Sequence, residues 1–348
     1  MPIKLAKEKL MKFCNEVFLA SGLQADHAAI VADNLMSAEL RGVRSHGLMQ
    51  MRIYLEGLKT GEYNKRPQVK VLRETSSTLL VDGDFGPGSI SGNFAMKKCI
   101  DKAKVTGAAG VGVTNGTHFG MAAYYAMEAL PYDMIGFAFC NAKPRVAVYG
   151  GIDAQMGTNP ICVAVPSFEE LPVVYDGATT QAAWNKIRYR YKEAGGRETG
   201  RIDKGLALDK NGNDTDDPMK AEILLPFAEH KGSGLAIIVN SLCSLLTGAA
   251  ICADPETGEP LEKVGRVGFY FGALDIAAFQ EPLFFKKSMD LMIRRMKSSK
   301  KKAGQKRIYM PGELESIKHA EQSANGVELG EAVFAELSDV GSEFGVTL

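Results

Sequence analysis

The chain has 348 residues, 45% of them hydrophobic, which is ample for a large core and for two domains with room for a smaller third. Forty-one basic and 41 acidic residues cancel, excluding the one-signed field of a nucleic-acid binder. No apolar run approaches the about 20 residues that span a bilayer, and Met1-Pro2-Ile3-Lys4-Leu5 leads into an amphipathic pattern with no signal-peptide core. The cysteines (14, 99, 140, 162, 243 and 252) are scattered, mostly in apolar runs, and form no CxxC pair. They read as small buried hydrophobes in a reducing compartment, so a cytoplasmic protein is expected.

In chain order, Leu10, Cys14, Val17 and Phe18 repeat at helical spacing, as do Ala28, Val31, Leu35 and Ala38. The second pattern starts after Asp26, read as an N-cap, and stops at Gly42. A third helix is expected from Ser45, whose hydroxyl would cap it, to about Lys59. From about residue 68 the pattern changes to short strand-like runs at 69–72, 78–83, 110–113, 135–139, 161–165 and 173–175, with helical stretches at 93–105 and 121–130 between the earlier ones. Strands alternating with helices predict an α/β central domain. Residues 179–222 are polar with a turn at Lys210-Asn211-Gly212-Asn213. Gly232 to Thr247 reads as a buried helix, and a strand-like run at 267–271 precedes a helical region to about Lys302.

Several motifs admit simple readings. In Gly86-Pro87-Gly88-Ser89-Ile90-Ser91-Gly92 the glycines are spaced unlike the Rossmann fingerprint, and a proline sits mid-turn, so a tight structural turn is the better reading than a phosphate loop. Asp209 to Lys220 lacks the glycine and glutamate of a calcium loop. No histidine pair has zinc spacing, so no metal is implied. The basic stretch Lys286–Arg307 is interleaved with Met289, Leu291, Met292 and Met296, which predicts an amphipathic helix with a solvated basic face. Three of the five histidines lie in polar clusters beside glycine: Ser45-His46-Gly47, Thr117-His118-Phe119-Gly120 and His230-Lys231-Gly232. Histidine is the side chain best suited to move a proton near neutral pH, and only a folded pocket brings such distant segments together.

The ordered set Arg41-Gly42-Val43-x-Ser45-His46-Gly47, Thr117-His118-Phe119-Gly120, Gly157-Thr158-Asn159-Pro160, Asp176-x-Ala178-Thr179, Leu225-Pro226-Phe227-x-x-His230-Lys231-Gly232 and Pro311-Gly312-Glu313 resembles the type-2 malate/L-lactate dehydrogenase family from about residue 5 to 335. The resemblance implies an α/β, non-Rossmann fold: a mixed-sheet central domain with helical N-terminal and C-terminal segments. The expected organisation is residues 1–75 packing with 305–348, a cofactor-binding domain at 76–245 and a strand–helix subdomain at 246–304. It implies a homodimer and an NAD- or NADP-dependent oxidoreductase interconverting a 2-hydroxy and a 2-oxo acid. Carried over by motif, His46 is a proton donor aided by Ser45, and His118 is a second candidate base. His118, Phe119, Gly120, Met121, Ala122, Thr158, Asp176, Gly177, Ala178, His230, Lys231, Arg307 and Gly312 are cofactor contacts.

Two departures bear on the substrate. Where the family usually has a carboxylate-gripping arginine, this chain has Gln50. Arg52 lies about 200° around a helix from it and cannot simply substitute, which leaves Arg44 as the candidate replacement. Lys186 stands where the cyclic imino-acid reductases of the family have aspartate, which argues for a carbonyl/alcohol substrate over a ketimine. The rival readings are a Ser45/His46 hydrolase, disfavoured by the absence of a GxSxG elbow, and a noncatalytic nucleotide-binding homologue.

Overall fold

A short strand β1 (Ile3–Leu5) leads into α1 (Lys7–Ala20) and α2 (Ala25–Leu40). In the computed structural model, which describes residues 3–184, 187, 201–249 and 267–348, the helical-period residues of α1 and α2 are fully buried, all in one cluster except Ala38, which joins the core of the main sheet. Asp26 is not the N-cap of α2. Gln24 holds that position and Asp26 lies in the first turn, where its charge favours the helix dipole. The third helix also starts later than expected. Arg44–His46 and Leu48–Gln50 form two 3₁₀ turns, and α3 spans Met51–Thr60. Gly47 makes the break possible, because a Cβ there would lie 2.2 Å from Glu39 Oε2. Ser45 is thus not the N-cap of α3, a position held by Gln50, and its hydroxyl lies against His46.

Next come β2 (Lys70–Glu74), β3 (Thr78–Asp82), α4 (Gly88–Thr106), β4 (Ala108–Gly116), α5 (Ala122–Ala126) and β5 (Met134–Cys140). They are followed by β6 (Val146–Ala147), β7 (Ala154–Met156), β8 (Ile161–Val165), β9 (Val173–Gly177), β10 (Ala207–Leu208), β11 (Ile223–Leu224) and α6 (His230–Asn240). The described chain closes with β12 (Val267–Asp275), α7 (Pro282–Lys297), α8 (Glu313–Asn325), β13 (Val327–Leu329) and α9 (Glu331–Phe344).

The main sheet has the order β2-β3-β4-β12-β5-β8-β9. β3 and β4 are parallel, joined through α4, and every other neighbouring pair is antiparallel. This is the expected mixed sheet and not the doubly wound parallel sheet of a Rossmann domain. β12 runs between β4 and β5, so residues 267–275 lie at the heart of this sheet. Its run Val267–Phe271 is apolar because a central strand is covered on both faces, and Phe269 and Phe271 are fully buried.

Residues of the first 63 positions share a second core with Val327, Leu329, Leu337 and Val340, and β1 pairs with β13. A small sheet, β10-β11-β6-β7, carries a third cluster around Val146, Met156 and Leu224. Two helices are less buried than their sequences suggested. α6 and the π-helical turn after it expose Leu235, Ile237, Ile238, Leu245 and Leu246, because one face alone (Ala236, Val239, Cys243) meets the body. On α7 the residues buried are Asp290 and Ile293, while Leu291, Met292 and Met296 are exposed. Lys186 and Cys252 lie outside the described residues.

Candidate active site

Ser45 and His46 are delivered by the first 3₁₀ turn after α2, and that turn is fixed from below. Glu39, near the end of α2, is buried and accepts the Leu48 N–H at 2.9 Å. Gln322 of α8 donates to the carbonyls of Glu39 and Leu40 at 2.7 and 2.9 Å, satisfying the free C-terminal end of α2. His118 comes from the loop between β4 and α5. That loop rests on the glycine-rich turn: Gly88 N–H donates to the His118 carbonyl at 3.2 Å, and a Cβ at Gly88 would sit 2.6 Å from the Thr117 oxygen. Gly86–Gly92 is therefore a packing device for the histidine loop.

Both histidines open into one cleft of about 1520 Å³. Their rings stack with centroids 5.6 Å apart and an interplanar angle of 14°. Ser45 Oγ is 2.9 Å from His46 Nδ1, and the Tyr54 hydroxyl is 2.6 Å from His118 Nδ1. Burial lowers His46 to about 4. Burial, with repulsion from His46, lowers His118 to about 3. At neutral pH both imidazoles are therefore uncharged, and a proton placed on one opposes a proton on the other.

Arg44, Gln50, Phe119, Gly120, Met121, Ala122, Thr158, Asp176, Gly177, Ala178 and Gly312 line the same cleft. Gly120 has φ +80°, and a Cβ there would fall 2.0 Å from Asn34 Oδ1, so this position requires glycine. Asp176 closes β9 with a side chain open to the cleft although protein surrounds it; it accepts the Ala123 N–H at 2.7 Å. Burial raises its carboxyl to about 6 against the lowering effects of that N–H and of Arg41. Gly312, at φ +81°, lies directly against Val174 of β9.

Three expected residues stand elsewhere. His230 and Lys231 are exposed at the start of α6 and are not part of the lining; His230 packs edge-on against Tyr149 at 5.9 Å. Arg307 is engaged by Glu313 and lies over the Tyr309 ring. Gln50 is buried and donates to the Ser45 carbonyl at 2.7 Å, so it braces the histidine turn as well as lining the cleft. Arg44 donates to the Glu328 carbonyl at 3.3 Å. Arg52 points away, paired with Glu336 and Glu343.

Sequence reasoning passed over Tyr54 and Glu39. Tyr54 follows Gln50 by four residues, and that spacing alone put it on a face already singled out. Glu39 had no local signal. Among the described residues no group of three metal-ligating side chains occurs.

This fold is that of solved dehydrogenases. Malate dehydrogenase from Entamoeba histolytica superposes with a TM-score of 0.92 at 29% identity, covering 100% of this chain and 99% of that one. Sulfolactate dehydrogenase from Methanocaldococcus jannaschii gives 0.87 at 32% identity, covering 99% and 98%. The molecule is thus an oxidoreductase of the hydroxy-acid dehydrogenase class. Malate dehydrogenase from Pyrococcus horikoshii is 35% identical over 99% of this chain and 96% of its own. The sequence pattern described as malate/L-lactate dehydrogenase matches residues 5–338. The chain belongs to the malate/L-lactate dehydrogenase family.

Proposed function

We propose that the cleft binds a nicotinamide cofactor, NAD or NADP, and interconverts a small 2-hydroxy acid and its 2-oxo acid with histidine acid–base catalysis. The observation that carries this reading is the stacked His46–His118 pair, two uncharged imidazoles facing one cleft with their Nδ1 atoms engaged by Ser45 and Tyr54. Relatives support the substrate class: by name they act on malate, sulfolactate or ureidoglycolate.

The lining fits a nicotinamide nucleotide. The strip His118–Ala122, seated against Asn34 at Gly120, lines the cleft together with Asp176, Gly177 and Ala178, which offer a carboxylate and slender backbone, and with Thr158 and Gly312. The bound cofactor supplies or accepts the hydride; everything else falls to the chain. In oxidation, a neutral imidazole takes the hydroxyl proton, a contribution of about 10²–10⁴-fold. In reduction, the same nitrogen, protonated, returns it to the carbonyl oxygen. Tyr54 also lies 3.4 Å from the His118 carbonyl. If its proton goes there, its oxygen accepts Nδ1–H and leaves Nε2 of His118 as the basic nitrogen.

A noncatalytic nucleotide-binding homologue is disfavoured by the intact proton-handling pair, and a ketimine reductase by Lys186, which stands where that branch has aspartate. A homodimer accompanies the alcohol/carbonyl reading on the resemblance, and a cytoplasmic location on the scattered cysteines with no CxxC pair. The test is to mix the purified chain with oxaloacetate, pyruvate and 3-sulfopyruvate, each with NADH and NADPH, and to follow reduced-nicotinamide absorbance. Oxidation of the cofactor by at least one acid is expected. No turnover with any pair refutes the proposal.

A further inference from the structure

The end of α2 carries a positive charge that the reading above leaves unused. Arg41 is the residue directly after α2, at a position fixed by the Gln322 bonds to the Glu39 and Leu40 carbonyls. Its side chain is 8% exposed and lines the active-site cleft. Among the described residues it makes no ion pair, and its Nε is buried with no hydrogen-bond partner. The carboxylates of Asp176 and Glu315 are close enough to act on it by charge, but Asp176 Oδ2 is engaged by the Ala123 N–H.

A buried guanidinium whose donors have no protein acceptor is costly. Nearby acids offset its charge without satisfying its N–H groups. A planar fork of five donors suits a carboxylate or phosphate held in two-point contact. The other arginines and the lysine lining the cleft are already engaged: Arg44 with the Glu328 carbonyl, Lys143 with Glu62, and Arg145 over the Trp184 ring.

We propose that Arg41 is the oxyanion-binding residue of the cleft, taking the carboxylate of the 2-oxo acid or a phosphate of the cofactor from the turn that also carries Ser45 and His46. The assignment rests on the dehydrogenase reading, yet binding tests it without turnover. Oxalate, a two-carbon mimic of the acid, and NADH are titrated separately against the native chain, Arg41→Met and Arg41→Lys. Oxalate is followed by thermal shift and NADH by its fluorescence.

Arg41→Met should weaken one of the two ligands about tenfold or more, the usual effect of losing one charge-assisted contact. Millimolar guanidinium should restore part of the loss. Weakened oxalate with unchanged NADH identifies the acid's carboxylate as the partner, and the reverse identifies the cofactor phosphate. Unchanged affinity for both in Arg41→Met overturns the proposal. Should that variant not fold, unchanged affinity for both in Arg41→Lys overturns it, because lysine loses the fork. A chain that turns over no acid but loses oxalate binding on Arg41→Met would refute the dehydrogenase reading and leave the anion site standing.

Discussion

Replacing Tyr54 by phenylalanine deletes one oxygen from behind the cleft-lining His118 and nothing else. The ring is fully buried and packs edge-on against Tyr63 with centroids 5.9 Å apart, and phenylalanine preserves that packing. What disappears is the 2.6 Å bond to His118 Nδ1. A buried polar nitrogen stripped of its partner costs about 1–3 kcal/mol. The same bond fixes which nitrogen of His118 carries the proton and where the ring points, so part of that energy is lost from the transition state. At about 1.4 kcal/mol per tenfold in rate, kcat of Tyr54→Phe should fall about ten- to a hundredfold. KM for acid and cofactor should change little, because Tyr54 is not among the residues that line the cleft. Steady-state kinetics in both directions, beside a thermal melt, read this directly. A variant that melts lower but keeps native kcat would show that Tyr54 supports packing only, and the tautomer argument would be refuted.

His46→Ala and His118→Ala should each lower kcat by about 10²-fold or more if both serve proton transfer; near-native turnover in either, measured at saturating substrate, removes that residue from the chemistry. Stability should depend on pH through the same pair. The unfolded histidines bind protons below about 6.5, whereas the folded ones resist until about 4 and about 3. Stability from these groups is therefore complete above about 6.5 and declines as pH falls toward 4, so melting temperature should drop over that interval. In the double variant His46→Gln/His118→Gln the drop should be shallower, and an unchanged slope would show the pair is not responsible. Gln50→Arg should raise kcat/KM for malate and lactate, which are expected to be poor substrates of the native chain because this cleft position lacks a cation. If the native chain already handles them efficiently and the variant gains nothing, that account of specificity is wrong.

Much of the fold was legible because the local pattern and tertiary context agree. The strand runs at 78–83, 135–139, 161–165 and 267–271 all lie in the main sheet, and the helical repeats of α1 and α2 mark their buried faces. The central position of β12 was not legible. A strand distant in sequence from both neighbours carries no signal of which strands it will join. The late start of α3 was hidden for a related reason, since the clash that requires Gly47 comes from Glu39, eight residues back and visible only once the turn lies on α2. At the site, the Ser45-His46 and His118 motifs meet in one cleft, whereas the contacts that define the histidines' states, Tyr54 to His118 and one ring to the other, cross 64 and 72 positions.

The glycines show why this family needs no Rossmann fingerprint. In that fingerprint, glycine lets backbone approach a pyrophosphate. Here the close approaches made possible by glycine are between protein segments: Gly47 against Glu39, Gly88 against the Thr117–His118 carbonyls, Gly120 against Asn34 and Gly312 against Val174. Three of the four join a cleft segment to an element distant from it in sequence, and Gly47 folds its turn back onto the end of α2. A side chain at any of them would displace a lining segment by on the order of 1 Å, the scale on which misplacement of reacting groups costs rate. The cleft is thus set by segment-to-segment packing at its rim, and at position 50 one side chain does two things: Gln50 lines the cleft where the acid would be held and braces the Ser45 carbonyl of the histidine turn.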